Sequence, residues 1–325
     1  MNVGADEAIF FHDTTPFEDA QALLLAAGFG DGLPMVPPTE ARLARMLEGV
    51  AEPDAVHAYM APMFGELTPR AVAYCCVLAG CVPAELPVVL TASVAACEDR
   101  FNLLGIATTT GTPCIALCVH GPVATRLDMN AGTNCLGPGN RANACIGRAV
   151  ALVLRNIGGA RPESGDMATM GQPGKYGFAF AEGAHPLLPS LAVRRGVPGD
   201  AVTVLGVSGT MEVLPEDGGG ANTPEMVLRP IVLAMQGGLR AASAGKNRPP
   251  QEQVILLTAE LSDVLLRAGW DLPRIQAWLH AADPALARAP EAILPILTGG
   301  PGIKMTHPVL WMGGTETVTM PLLAL

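Results

Sequence analysis

The stretches TPRAVAYCCVLA (residues 68–79) and TPEMVLRPIVLA (223–234) share Thr, Pro, Val, Val, Leu and Ala at six of twelve positions. Each opens with a threonine suited to an N-cap and a proline suited to the first helical position, where its missing N–H costs nothing. Three further pairs keep the same order: DAVHAYMAP (54–62) with DAVTVLGVS (200–208), VVLTASV (88–94) with ILLTAEL (255–261), and CIALCVHGP (114–122) with ILPILTGGP (293–301). The offset between partners grows along the chain, as insertions in connecting loops would make it do. Each unit therefore reads strand, loop, Thr-Pro-headed helix, strand ending in Thr-Ala, helix, strand ending in Gly-Pro. Short apolar runs alternating with helices call for crossover connections and a covered parallel sheet. The expected fold is α/β, with two pseudo-repeated α/β units of mainly parallel strands and an N-terminal helical extension. The boundaries are 1–53 for the extension, 54–190 for the first unit and 191–325 for the second. The extension should hold a helix around Phe17–Ala27, an extended GDGLPMVPPT turn, and a Thr39-capped helix with Leu43, Met46, Leu47 and Val50 on its apolar stripe.

Composition narrows the function classes. Half of the residues are hydrophobic and 15% are charged, which gives material for a core and excludes a disordered chain. A net charge of -10 with no basic run argues against nucleic acid, whose phosphates need clustered Lys and Arg. The most apolar stretch, Ala71 to Cys97, is interrupted by Pro83, Glu85 and Pro87. That leaves about a dozen residues, too few to cross a bilayer, so it reads as a buried helix followed by a buried strand, with no membrane partner. The start carries acidic residues where a secretory signal carries basic ones, and no apolar run follows. Eight cysteines lie between Cys75 and Cys145, mostly in apolar runs where a free thiol packs as a small hydrophobe. These features point to a cytoplasmic chain.

NAGTNCLGPGNRANACIGRA (130–149) is the densest cluster of chemistry. Asn140 after Gly-Pro-Gly suits the N-cap of a helix running to about Asn156, ended by Gly158 and Gly159. Arg141, Arg148 and Arg155 recur every seven residues. Arg141 stands in the first turn, the wrong end of the helix dipole for a cation, and an anion bound to the free N–H groups resolves that conflict. The expected ligand-binding set is Asn134, Gly137, Gly139, Asn140, Arg141 and Asn143, with Thr91 at the same rim. Arg155, two turns beyond Arg148, is read as structural. No P-loop and no G-x-G-x-x-G spacing is present, so no nucleotide cofactor is expected. Cys135 lies in a polar loop ahead of a helix N-terminus, which would favour a thiolate nucleophile.

His120 closes an apolar strand just before Gly-Pro and suits acid–base or metal duty. His307 trails the corresponding Gly-Pro of the second unit, so the pair is a candidate ligand set for a divalent metal. Lys175 and Glu182, in MGQPGKYGFAFAEGAHP (170–186), complete the catalytic candidates His120, Cys135, Lys175 and Glu182.

The segments DGLPMVPPTE, LGPGNRANACIGRA and GQPGKYGFAFAE together resemble a widespread family of bacterial proteins without an assigned activity. The resemblance covers most of the chain and implies no reaction and no catalytic residues. The expected function, read from the residues, is an enzyme of lyase or hydrolase type acting on a small anionic, carboxylated metabolite in a cleft between two pseudo-repeats, as a homo-oligomer or within a hetero-complex. The alternatives are a non-catalytic or accessory subunit of a larger complex, and a thiol-redox protein built on the clustered cysteines.

Overall fold

A computed structural model describes residues 8–185, 188–216, 223–242 and 252–325. The first seven residues of the expected N-terminal extension lie outside this range. In chain order the elements are α1 (Phe17–Ala26), α2 (Glu40–Met46), β1 (Ala58–Met60), β2 (Gly65–Leu67), α3 (Pro69–Ala79), α4 (Leu86–Ala96), α5 (Leu103–Thr108), β3 (Cys114–His120), α6 (Pro122–Arg126), α7 (Arg141–Asn156), β4 (Ala179–Ala181), α8 (Leu191–Arg194) and β5 (Ala201–Val213). There follow α9 (Pro224–Ala242), β6 (Gln253–Leu257), α10 (Ala259–Arg267), α11 (Leu272–Ala282), β7 (Ile293–Leu297), β8 (Met305–Leu310) and β9 (Val318–Pro321). No helix among the described residues is long and apolar enough to cross a membrane.

Capping chemistry placed several helices correctly. Thr39 accepts from Arg42 N–H, Thr68 from Ala71 N–H and Asn140 from Asn143 N–H, each heading the helix expected from it. Thr223 heads α9 in the same way. The run VVLTASV is different: it lies in α4, not in a strand. Almost every side chain of α4 is buried, and a segment covered on all sides carries no periodicity to separate helix from strand. Its aligned partner, ILLTAEL, is the end of β6 and the start of α10. CIALCVHGP forms a strand between two neighbours, whereas ILPILTGGP forms the edge strand β7. The chain after Thr68 therefore runs through α4 and α5 before its strand, whereas among the described residues the element that follows α9 is β6, so the repeat does not hold in the register read from the sequence.

The main sheet has seven strands in the order β4-β3-β5-β8-β6-β7, with β9 also pairing β5. Parallel pairing occurs at the flanks, β3 with β4 and β6 with β7, joined by the expected helical crossovers. The other four pairings are antiparallel, so the sheet is mixed rather than mainly parallel. The long strand β5 organises it. Its first half pairs β3 on one side and β9 on the other, and its second half pairs β8.

The sheet is coiled so strongly that two corners on opposite edges meet. Beyond β4, Gly183 N–H donates to Leu297 O at the end of β7 (2.7 Å), and Thr298 Oγ1 donates to Ala181 O (2.9 Å). Because side chains alternate along a strand, one face of all six strands in the path turns inward. Cys114, Ala116 and Cys118 of β3 meet Phe178 and Phe180, Leu205 and Val207, Val254 and Leu256, Leu294 and Ile296, and Leu310 in one apolar cluster. The outward face of β3, β4 and the start of β5 is covered by α3, α4 and α7, with Leu24, Met35, Leu43 and Met46 of the N-terminal segment in the same core. The outward residues of β6, β7 and β8 lie beneath α9, α10 and α11.

Gly147 shows how tightly α7 is laid on the sheet. A Cβ there would stand 2.8 Å from Phe178 N and 3.1 Å from Ala179 N, both backbone atoms that cannot swing aside. Alanine would gain about 0.5–1 kcal/mol of helix propensity and lose about 1–3 kcal/mol to overpacking. Gly147→Ala is therefore expected to destabilise the protein, read as a lower urea midpoint with an unchanged slope.

Candidate functional site

Period-2 alternation brings His120 and Glu182 together. Cys118 and His120 share the inward face of β3, Glu182 follows Phe180 on the same face just past the end of the neighbouring strand β4, and Thr203 precedes Leu205 on β5. His120 Nδ1 lies 2.6 Å from Glu182 Oε2, and its Nε2 lies 2.7 Å from Thr203 Oγ1. Thr203 Oγ1 is in turn 2.7 Å from Thr319 Oγ1, which accepts from Arg195 Nη1 at 3.0 Å. Leu191 N–H reaches both Glu182 oxygens, at 3.2 and 3.0 Å. The two ends orient this line: a guanidinium only donates and a carboxylate only accepts. Each hydroxyl then donates inward, and His120 donates from Nδ1 to Glu182. His120 and Thr203 are fully buried, while Thr319 is only partly covered.

The line ends at a cavity of about 690 Å³ at one mouth of the coiled sheet. Helix α8 plugs this mouth: Leu191 joins the inner cluster, and Arg194 and Arg195 turn toward the polar end. Arg194 donates to Pro295 O and stands 4.0 Å from Glu182 Oε1. Arg195 is held by Glu252 (2.9 Å), Thr317 Oγ1 (2.6 Å) and Thr319. Burial pulls both guanidinium pKa values down, with Glu182 beside Arg194 and Glu252 beside Arg195 opposing it. Arg100 and Arg288 stand exposed at the rim, and Glu252, Glu291 and Glu316 complete the charged lining. Arg195 pairs with Glu252 and Arg288 with Glu316 (2.6 Å), while Arg100 has no carboxylate partner among the described residues. Such mouths are common places for small ligands.

Cys118 Sγ, a His120 nitrogen and a Glu182 oxygen lie within 4.8 Å of one another, a donor set of the type that holds zinc. His120 and Glu182 are nevertheless 2.6 Å apart, too close for both to ligate one ion at about 2.0–2.2 Å in tetrahedral geometry, and each instead satisfies the other. Burial, with Glu182 and Cys135 adding to it, pushes the Cys118 thiol well up.

The other expected site residues lie apart from this line. His307 does not converge with His120. It is on the outward face of β8, where Nδ1 lies 2.8 Å from Val254 O, and its Nε2 packs beside Gly238 of α9. It pairs with Met211 of β5, whereas His120 pairs with Ala201, so the two do not form one metal centre. Lys175 sits beyond the opposite end of β4 from Glu182, in a direct pair with Asp166 at 2.7 and 2.6 Å. Cys135 is buried at the closing corner, with Thr298 Oγ1 at 3.4 Å, outside the cavity lining.

The anion expected beside Arg141 is the protein's own. Arg141 donates to Glu85 Oε1 (2.6 Å) and Oε2 (3.2 Å), and Glu85 is fully buried. The loop before α7 likewise spends its polar groups on itself. Asn134 donates to Pro138 O, Asn140 to Asp128 O, and Asn143 to Asn130 O and Cys135 O. Gly137 packs against Asn134, and Gly139 takes φ +116°. Thr91 is in α4, where its hydroxyl donates to Pro87 O and accepts from Leu323 N–H.

Sequence reading missed Thr203, Thr319, Arg195 and Glu252. Alternation along AVTVLGV places Thr203 on the inward face, but its partners His120 and Thr319 come from β3 and the last strand, far away in the chain.

Comparison with protein-family models, curated proteins and solved structures finds no match.

Two measurements check these environments. Burial pushes the thiols of Cys75, Cys97 and Cys114 up to about 12, so these cysteines should resist iodoacetamide in the native state and react after urea denaturation. Burial also holds His307 below its ordinary 6.5, against the opposing bond to Val254. As pH falls below about 6.5, the unfolded chain takes up a proton that the folded chain refuses, and stability is lost. His307→Gln should lose less stability than the parent between pH 6.5 and about 5, as read by urea melts. Linkage of a single proton bounds the difference at about 2 kcal/mol over that interval.

Proposed function

We propose that the chain is an enzyme of lyase or hydrolase type, acting on a small carboxylated metabolite at the mouth of the coiled sheet. One observation carries the reading: an unbroken hydrogen-bonded line runs from the buried Glu182 carboxylate through His120, Thr203 and Thr319 to the wall of an arginine-lined cavity. Carboxylate, imidazole and hydroxyl in that order form the arrangement by which a base is oriented and its protonated form stabilised. In this reading Arg100 and Arg288 capture the substrate anion at the rim and Arg195 fixes it on the floor. A substrate proton passes to Thr319 while the Thr319 and Thr203 protons move inward, leaving His120 doubly protonated against Glu182. The same line returns the proton to a leaving group.

The palindromic strand order supports a duplication in a different register from the one read in the sequence. Each half would be an outer parallel pair plus a third antiparallel strand, with β3, β4 and β5 answering to β6, β7 and β8. The site then belongs to both halves, since β3, β5 and α8 supply one wall and the segment before β6 supplies Glu252.

The test is to incubate the purified protein with a cell extract and with a panel of hydroxy, keto and amide-bearing carboxylic acids, following consumption by mass spectrometry. At least one acid is expected to be consumed. Glu182→Gln and Thr319→Val should each slow that reaction by about 10²–10⁴-fold while remaining folded by circular dichroism. A reaction unaffected by both substitutions, or no consumption at all, removes the proposal.

A further inference from the structure

A second cavity, of about 630 Å³, lies at the other end of β3 from His120, against Cys114 and Ile115. Arg155, in the last turn of α7, forms part of its wall. Among the described residues no carbonyl or carboxylate accepts from the Arg155 side chain or from that of nearby Arg161, and the buried Nε of each is without a partner. The two guanidinium groups repel each other: after burial itself, Arg161 is the next cause lowering the Arg155 pKa. The nearby acids are already spent, Asp31 on Arg148 (2.8 and 2.9 Å) and Asp166 on Lys175 (2.7 and 2.6 Å). Arg155 is half-buried, and a buried guanidinium nitrogen is seldom left without a partner, so Arg155 is not the structural residue that its position in α7 had implied. Such a group is retained at a cost to stability where a ligand is to meet it.

We propose that this cavity is a second ligand site, taking a small monocarboxylate with a hydrocarbon or aromatic body. The carboxylate pairs with the Arg155 guanidinium, whose planar fork matches it. The body lies against Ile106, Pro113, Leu154 and Met170 of the wall. The charge class follows from the surroundings. Asp31 and Asp166 also face the cavity, and their fields oppose a second negative charge, which disfavours phosphate. The site is separate from the mouth at Arg195 and stands whether or not that mouth is catalytic.

Benzoate, phenylacetate, hexanoate and inorganic phosphate, each up to about 20 mM, would be titrated into the full-length protein by ligand-observed NMR and calorimetry. Parent, Arg155→Met and Arg195→Gln proteins would be compared. At least one carboxylate should bind the parent and bind Arg155→Met at least about tenfold more weakly, with affinity unchanged in Arg195→Gln. Without ligand, Arg155→Met should melt no lower than the parent, because an apolar side chain replaces a half-buried guanidinium whose buried Nε has no partner. A residue that merely braced the fold would give the opposite shift. The proposal falls if none of the three carboxylates binds, if binding survives Arg155→Met, if Arg195→Gln also abolishes it, if Arg155→Met melts lower, or if phosphate binds as tightly as the carboxylates.

Discussion

The coil of the sheet is the constraint on which the rest of the structure depends. A flat arrangement of these strands would leave β4 and β7 as distant open edges and give the inward residues no common interior. The contacts of Gly183 with Leu297 and of Thr298 with Ala181 bring those edges together at one corner. Alternation then does the rest, because every second side chain of six strands must fill one interior. Its middle is apolar and needs no partners. Its mouth holds Glu182, His120, Thr203 and Glu252, which survive burial because their own side chains are hydrogen-bonded to polar neighbours.

This view separates two uses of buried charge. Arg141, Arg148 and Lys175 each meet a carboxylate within hydrogen-bond reach, and the electrostatic demand of each is met inside the fold. Glu85 in particular answers the conflict of a cation at a helix N-terminus without any external ion. The mouth differs in another way: two of its arginines are paired too, Arg195 with Glu252 and Arg288 with Glu316, but buried His120 has a hydrogen-bonded route through Thr203 and Thr319 to a cavity wall. Ionic pairing with a fully buried carboxylate, away from the two main cavities, is therefore evidence against a ligand at Arg141.

How much was legible in the sequence follows from the range of the interactions involved. Thr39, Thr68 and Asn140 act within one helical turn, and each marked its helix correctly. His120 and Glu182 were identifiable as polar residues ending alternating or apolar strands, and parallel pairing of β3 with β4 sets them side by side. Thr203, Thr319 and Arg195 join them only because β5, β9 and α8 converge in space, and no local pattern announces that. The apolar run of α4 defeated the reading for another reason: burial on every side removes the very periodicity that would have distinguished helix from strand. The pairing of segments read from the sequence does not match the topology because residue identities at caps and strand ends recur for local reasons, whatever the topology that connects them.

Arg141 and Arg155 make the point sharply, since they lie on one helix and looked alike in the sequence. The heptad spacing that relates them describes one face of α7, but along that face the surroundings change from the buried end of α4, with Glu85, to a cavity whose acids are already paired. Helical position fixes where a guanidinium points, and the neighbouring elements decide whether it finds an acceptor. Arg141, the stronger candidate from sequence, is neutralised by a carboxylate fifty-six residues earlier in the chain, and Arg155, assigned to structure, is left with its buried Nε unpartnered. A basic stripe on a helix is thus a list of possible anion sites, and which of them stays open is a property of the tertiary packing.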